Sequence, residues 1–235
     1  MGPEATIQFY KELIYLCQKK CGSLYDDEFP NIILYNAPIP DVILGIKNPK
    51  PILDALKIGT QTLQLAGADF ITIPCNTINY FYNSMTQFVD IPILNIIEET
   101  AKVVEANGLN SVGILATKTT LQTQLYPKML NKYGIKTIIP SNESAEALNQ
   151  IILRILKGKK LKKDKITLLQ IIAKLKKKGA KSVILGCTEL PLLLNQRDVD
   201  LPLLNTLQIL ATSTLNYSLS ESYISSPQQE ILKWK

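Results

Sequence analysis

Two stretches of the chain repeat one another: GADFITIPCNT at residues 67–77 and GAKSVILGCTE at residues 179–189. Each runs Gly-Ala, two further residues, an apolar β-rich run and a single Pro or Gly, then a cysteine and two polar residues. The match extends outward at the same offset of about 110 residues: IPILN at 91–95 answers LPLLN at 201–205, and IILYN at 32–36 answers TIIPSN at 137–142. Two copies of so long a unit indicate a duplicated half rather than a solenoid.

Within each half, short β-branched runs alternate with helical patterns. The runs at 31–35, 70–73, 93–96, 112–116, 136–139 and 182–185 are expected strands, and 52–65 and 166–178 are expected helices. In the latter, Leu168, Leu169, Ile172 and Leu175 form one apolar face. The strands are apolar on both faces, as parallel strands covered by helices are. The fold class that follows is α/β: two pseudo-symmetric three-layer α/β/α halves with mostly parallel sheets and a ligand cleft between them. Residues 1–95 with 206–235 are expected to build the first half, and 96–205 the second. The second half opens with a strand, SVGILAT at 111–117, whereas MGPEAT at 1–6 reads as a loop and helix start. By the logic of the repeat, an opening strand is expected ahead of Met1. The polar tail from Ser218 to Lys235 is expected to fray beyond the last helix.

Composition narrows the chemistry. The 235 residues carry 26 Lys+Arg against 20 Asp+Glu, a net charge of +6, four Cys and no His. Without His there is no His metal ligand, no Ser-His or Cys-His nucleophile pair and no imidazole base. Arg154 and Arg197 are the sole arginines, so bidentate anion clamps are scarce. The Lys-rich stretch between Lys157 and Lys181 has no aromatic residue to stack on bases, so a nucleic-acid partner is not expected. No apolar run reaches the length of a membrane span, and the start lacks a secretory signal pattern. Sparse cysteines fit a cytoplasmic protein with reduced thiols. Cys17 and Cys21 are too few for a metal site, and no Gly-rich phosphate loop calls for a nucleotide cofactor.

Cys75 and Cys187 occupy matching places at strand ends, followed by Asn76-Thr77 and Thr188-Glu189, residue types that favour a helix start. A helix N-terminus there is expected to stabilise each thiolate and to bind a carboxylate. Two halves related by a pseudo-twofold axis would set the thiols on opposite faces of one bound molecule. That arrangement suits stereoinversion: one thiolate removes a proton from carbon and the other thiol returns one to the opposite face. Glu189 is a candidate both for a helix-cap carboxylate and for a partner of a substrate ammonium.

At these residues the chain resembles the aspartate/glutamate racemase family. PCNT at 74–77 and GCTE at 186–189 match that family's two cysteine motifs, MGPEAT matches the end of its N-terminal motif, and IIEET at 96–100 and LAT at 115–117 also fit. The resemblance implies a cofactor-independent amino-acid racemase, with Cys75 and Cys187 catalytic. It implies a substrate shell of Met1, Gly2, Asn76, Thr77, Thr117, Thr120, Lys157, Thr188 and Glu189. An amino-acid substrate, aspartate or glutamate or a broader set, and a homodimer are likewise implied. Three positions depart from the family pattern: Val42 where acidic-substrate members often carry Arg, Asn79 where His is usual, and Thr119 where many have Gly. The alternatives are a non-catalytic small-molecule binder or decayed paralogue, and a related isomerase of small carboxylic acids.

Overall fold

The computed structural model describes residues 2–225, the side chains of 221–225 excepted. Helix α1 (Pro3–Leu16) starts with proline in its first turn, where the missing N–H costs nothing, and buries Ala5, Phe9, Leu13 and Leu16. It runs into a π-helical turn, Cys17–Cys21, that ends at left-handed Gly22. After a largely irregular stretch come α2 (Pro49–Leu65), β1 (Ile71–Thr72), α3 (Tyr82–Met85), β2 (Ile93–Leu94) and α4 (Ile96–Ala106). The chain continues as β3 (Ser111–Ala116), α5 (Lys118–Gln122), α6 (Leu125–Asn131), β4 (Lys136–Ile138), α7 (Asn142–Leu156), α8 (Lys162–Lys177), β5 (Ser182–Gly186) and β6 (Leu203–Asn205), so that α4 to β6 make up the expected second half, and ends with α9 (Thr206–Ser225), expected to return to the first. Side chains start several helices: the Asn48, Asn95 and Ser141 side chains each accept from an amide in the first turn of α2, α4 and α7.

The second sheet has the order β4-β3-β5-β6, every pair parallel. Its central strands β3 and β5 are buried throughout, as their unbroken apolar runs require. One face packs Val112, Ile114 and Ile184 against α1, α4 and α9. The other packs Leu115, Val183 and Leu185 against α7 and α8. That is the expected three-layer arrangement. Pairing of Ala116 with Gly186 brings β3 and β5 to an end side by side, so that Thr117 and Cys187 emerge together.

The first sheet is smaller. Among the described residues it consists of β1 and β2, parallel, with Ile71 opposite Ile93. They pack with Ile52 and Leu56 of α2 and with Ile78, Phe81 and Met85. Residues 31–35, an expected strand, are irregular. In the second half the matching segment, β4, is held by β3; among the described residues no strand takes the place of β3 in the first half. An apolar cleft of about 270 Å³, lined by Phe9, Leu13, Ile32, Leu34, Ile71 and Ile73, lies between α1, residues 31–35 and β1. A strand with no ladder partner has no reason to adopt strand geometry. The tail also departs from expectation: α9 carries the chain as helix through Ser225, and residues 226–235 lie outside the described residues. Its early turns bury Leu207, Leu210, Ala211 and Leu215 in the shared core, which is why the helix does not fray at Ser218.

Candidate active site

Cys75 stands just past β1, after Pro74, and its backbone N–H donates to Ile73 O at 2.7 Å. Asn79 Nδ2 donates to Cys75 O at 2.8 Å and closes the turn beneath it. Cys187 directly follows β5, and the Leu190 amide donates to its carbonyl at 3.1 Å. Both cysteines lead into short 3-10 turns, Thr77–Phe81 and Leu190–Leu192, with no side-chain cap. The expected capped helix starts are therefore absent. The polar side chains after each cysteine are spent on other partners.

Asn76 is buried and held at both ends: Tyr126 Oη donates to its Oδ1 at 2.5 Å, and its Nδ2 donates to Thr206 Oγ1 at 3.1 Å. Thr206 Oγ1 in turn donates to Leu185 O at 2.9 Å, which ties Asn76 to the second sheet. Thr77 Oγ1 lies 3.0 Å from both Thr117 Oγ1 and Thr120 Oγ1, and those two hydroxyls are 3.0 Å apart. Three buried hydroxyls thus close a triangle across the join between the halves. Cys187 Sγ donates to Glu189 Oε2 at 3.1 Å, and Thr188 Oγ1 donates to the same oxygen at 3.1 Å. Gly2 completes this corner. The Glu189 Oε1 atom occupies the place that any side chain at position 2 would need. Gly186 is equally constrained, because a Cβ there would press on Ala116 and the Tyr126 ring at 3.1 Å.

The electrostatics overturn the expectation of acidified thiols. Cys75 is half-buried, and desolvation pushes its thiol up to about 11; the Ile78 and Thr77 amides pull it down, but by less, and the charge of Glu189 adds to the rise. Burial likewise pushes Cys187 well above its ordinary value, with the charge of Glu189 and its hydrogen bond next in effect. A short turn presents too few aligned amides to outweigh desolvation. Cys75 and Cys187 also lie close enough for their charges to interact.

Of the candidates read from sequence, Thr77, Thr117 and Thr120 contact one another, Cys187 and Thr188 contact Glu189 with Gly2 against it, Asn76 is held by Tyr126 and Thr206, and Cys75 lies within the field of Glu189. Met1 lies outside the described residues. Lys157 is exposed at the C-terminal cap of α7 and contacts none of these side chains. The turn that carries it is fixed by Arg154, which donates twice to buried Asp164 at 2.8 Å. Val42 packs with Ile39 and Ile46 on the core of the first half, while its neighbour Ile43 packs on that of the second. Thr119 pins this segment, its hydroxyl donating to Ile43 O at 3.1 Å. Tyr126 and Thr206, which hold Asn76, were not among the residues expected from sequence. Neither belongs to a motif, and only the three-dimensional join reveals them.

Comparison with known proteins fits this geometry. Residues 1–214 match the family described as Asp/Glu/Hydantoin racemase. The chain is 29% identical over 220 residues to the broad specificity amino-acid racemase RacX of Bacillus subtilis (strain 168), covering 94% of this chain and 96% of that protein. It superposes on an aspartate racemase homologue from Pyrococcus horikoshii OT3 with a TM-score of 0.77, at 28% identity and covering 93% and 95% of the two chains. Against the Picrophilus torridus aspartate racemase the TM-score is 0.78, at 26% identity and covering 93% and 90%. With a family match over residues 1–214 and a parallel two-sheet fold shared with solved racemase structures, the chain belongs to the Asp/Glu/hydantoin racemase family.

Proposed function

We propose that the chain is a cofactor-independent amino-acid racemase that inverts Cα between two opposed cysteines. The observation that carries this reading is the placement of Cys75 and Cys187 at equivalent strand ends of the two sheets, with Cys187 Sγ 3.1 Å from the buried Glu189 carboxylate and the residue after Cys75 tied to the second sheet. In this mechanism one cysteine sulfur, as thiolate, takes the α-proton from one face. The other, as thiol, delivers a proton to the opposite face, so the configuration inverts. The α-proton of an amino acid is only weakly acidic, so charge building on the carboxylate must be met by hydrogen-bond donors. The nearby donors, the Asn76 amide and the Thr77, Thr117, Thr120 and Thr188 hydroxyls, are engaged with protein partners, so a substrate carboxylate would take over bonds they now make to one another, to Thr206 and to Glu189, the last lying against Gly2. Lys157 belongs to the same proposal on the family resemblance alone. A cytoplasmic homodimer completes it, in keeping with four free thiols.

The substrate class we infer is a broad set of amino acids with uncharged side chains. Val42 lies in an apolar cluster, Arg154 is committed to Asp164, and Arg197 lies in the separate turn Gln196–Asp198. No guanidinium is therefore at hand for a second carboxylate. Chiral chromatography over a panel of L- and D-amino acids tests this. Neutral amino acids are expected to racemise faster than aspartate and glutamate, and Val42→Arg is expected to shift preference toward the acids. Efficient turnover of aspartate by the native chain would overturn the substrate class. Binding without racemisation of any panel member would favour the non-catalytic reading.

A further inference from the structure

The connection from α7 into α8 carries five lysines in seven residues: Lys157, Lys159, Lys160, Lys162 and Lys163, all exposed. None of the five joins an ion pair among the described residues. The acid within the run, Asp164, is buried and committed to Arg154, and Lys165 beside it is paired with Asp198 at 2.7 Å. The five charges therefore stand close together without local compensation, on a turn held by left-handed Gly158 and by the Arg154–Asp164 pair across it. Apolar side chains share this surface. Ile166 is 56% exposed one helical turn from Lys162 and Lys163, and Leu156, at the end of α7, is 37% exposed. A second basic run at the far end of α8, with Lys174, Lys177, Lys178 and Lys181, is exposed as well but has no exposed large apolar residue within it.

We propose that the lysine and aliphatic surface around the α7–α8 turn docks the protein peripherally on an anionic lipid bilayer. The lysines meet the headgroup phosphates, and Ile166 and Leu156 enter the boundary between headgroups and acyl chains. Residue types decide between this partner and a nucleic acid. Residues 155–170 hold no aromatic side chain to stack on a base and no arginine to fork onto a phosphate. Aliphatic side chains set among lysines are what a bilayer boundary accommodates and what a solvated face does not need. No helix is long and apolar enough to cross a membrane, so the contact is one of surface. The proposal does not depend on the racemase reading. Lys157 belongs to that reading, so it is left unaltered in the test.

Co-sedimentation with phosphatidylcholine vesicles, with and without about 30% phosphatidylglycerol, tests the docking. Four chains are compared: the native one; Lys159→Gln, Lys160→Gln and Lys163→Gln combined; Ile166→Ser; and Lys174→Gln, Lys177→Gln and Lys178→Gln combined. The last removes the same charge at the far end of α8, and thermal melts of all four confirm that these exposed substitutions leave the fold intact. The native chain is expected to bind the anionic vesicles at least about 20-fold more tightly than the neutral ones, and to be released as salt rises from about 0.1 to about 0.5 M. At roughly fivefold for each lysine, the first triple variant should lose about 100-fold. Ile166→Ser should lose about fivefold, and the far-end triple less than about threefold. Equal losses in the two triple variants would overturn the proposal, because net charge alone would then explain binding. Native affinity in Ile166→Ser would overturn it, as would failure to bind anionic vesicles at low salt. So would tighter binding to single-stranded DNA than to vesicles, lost in the first triple variant.

Discussion

Two cysteines carry the proposed chemistry, and each is expected to be indispensable. Cys75→Ser and Cys187→Ser should each lower racemisation by about 1000-fold or more, since a serine hydroxyl at these places is neither an adequate acid nor a base. Full racemisation by either variant would remove the two-base mechanism. The Cys75 thiol also predicts a pH profile. With its ionisation raised to about 11 from the ordinary 9.0, iodoacetamide labelling of Cys75 in the substrate-free protein should climb with pH toward a midpoint near 11. A midpoint at the ordinary value would contradict the burial described. Linkage gives the sign for stability: the folded state favours the neutral thiol, so this contribution is complete below about 9 and is lost as pH rises through about 11. At this scale the repeat made Cys75, Cys187 and their polar neighbours legible. It did not reveal that burial raises the thiols, because desolvation depends on packing that no local motif records.

The elements that frame the site hold by a few specific contacts. Asp164, near the start of α8, is 2% exposed and takes both of its hydrogen bonds from Arg154 of α7. Asp164→Ala leaves that partly exposed guanidinium without its partner and should destabilise the fold by about 2 kcal/mol, read from chemical denaturation. A change under about 0.5 kcal/mol would mean that the pair does not join α7 to α8. The Ile39–Ile46 strap is held more lightly, by Thr119 and by apolar contacts divided between the two cores. Sequence periodicity located the long helices well: the expected 52–65 and 166–178 correspond to α2 and α8. After the cysteines the expected capped helix starts give way to 3-10 turns. Asn and Thr cap helices often enough to suggest one, yet Asn76 and Thr77 reach partners 130 and 40 residues away.

The two halves of the molecule resemble one another in sequence but differ in their sheets. In the second half β3 and β5 are each paired on both sides, whereas in the first β1 has β2 as its sole neighbour among the described residues. Amide exchange should therefore be slower at Ile114 and Val183 than at Ile71 and Thr72. Equal protection in both sheets would contradict the pairing described. Residues 31–35 illustrate the limit of reading a repeat: their sequence matches β4, but strand geometry depends on a neighbour that sequence similarity does not supply. The join between the halves depends on pairs such as Thr77 with Thr117 and Asn76 with Thr206, and it places Cys75 on the same side of the molecule as the Cys187–Glu189 pair, within the field of that carboxylate. The central claim is that the two cysteines work on opposite faces of one carbon. Racemisation of an L-amino acid begun in deuterium oxide, sampled within the first few per cent of conversion, tests it most directly. The D-product should carry deuterium at Cα while the recovered L-substrate keeps its protium; a D-product that retains the original protium would mean a single base works both faces.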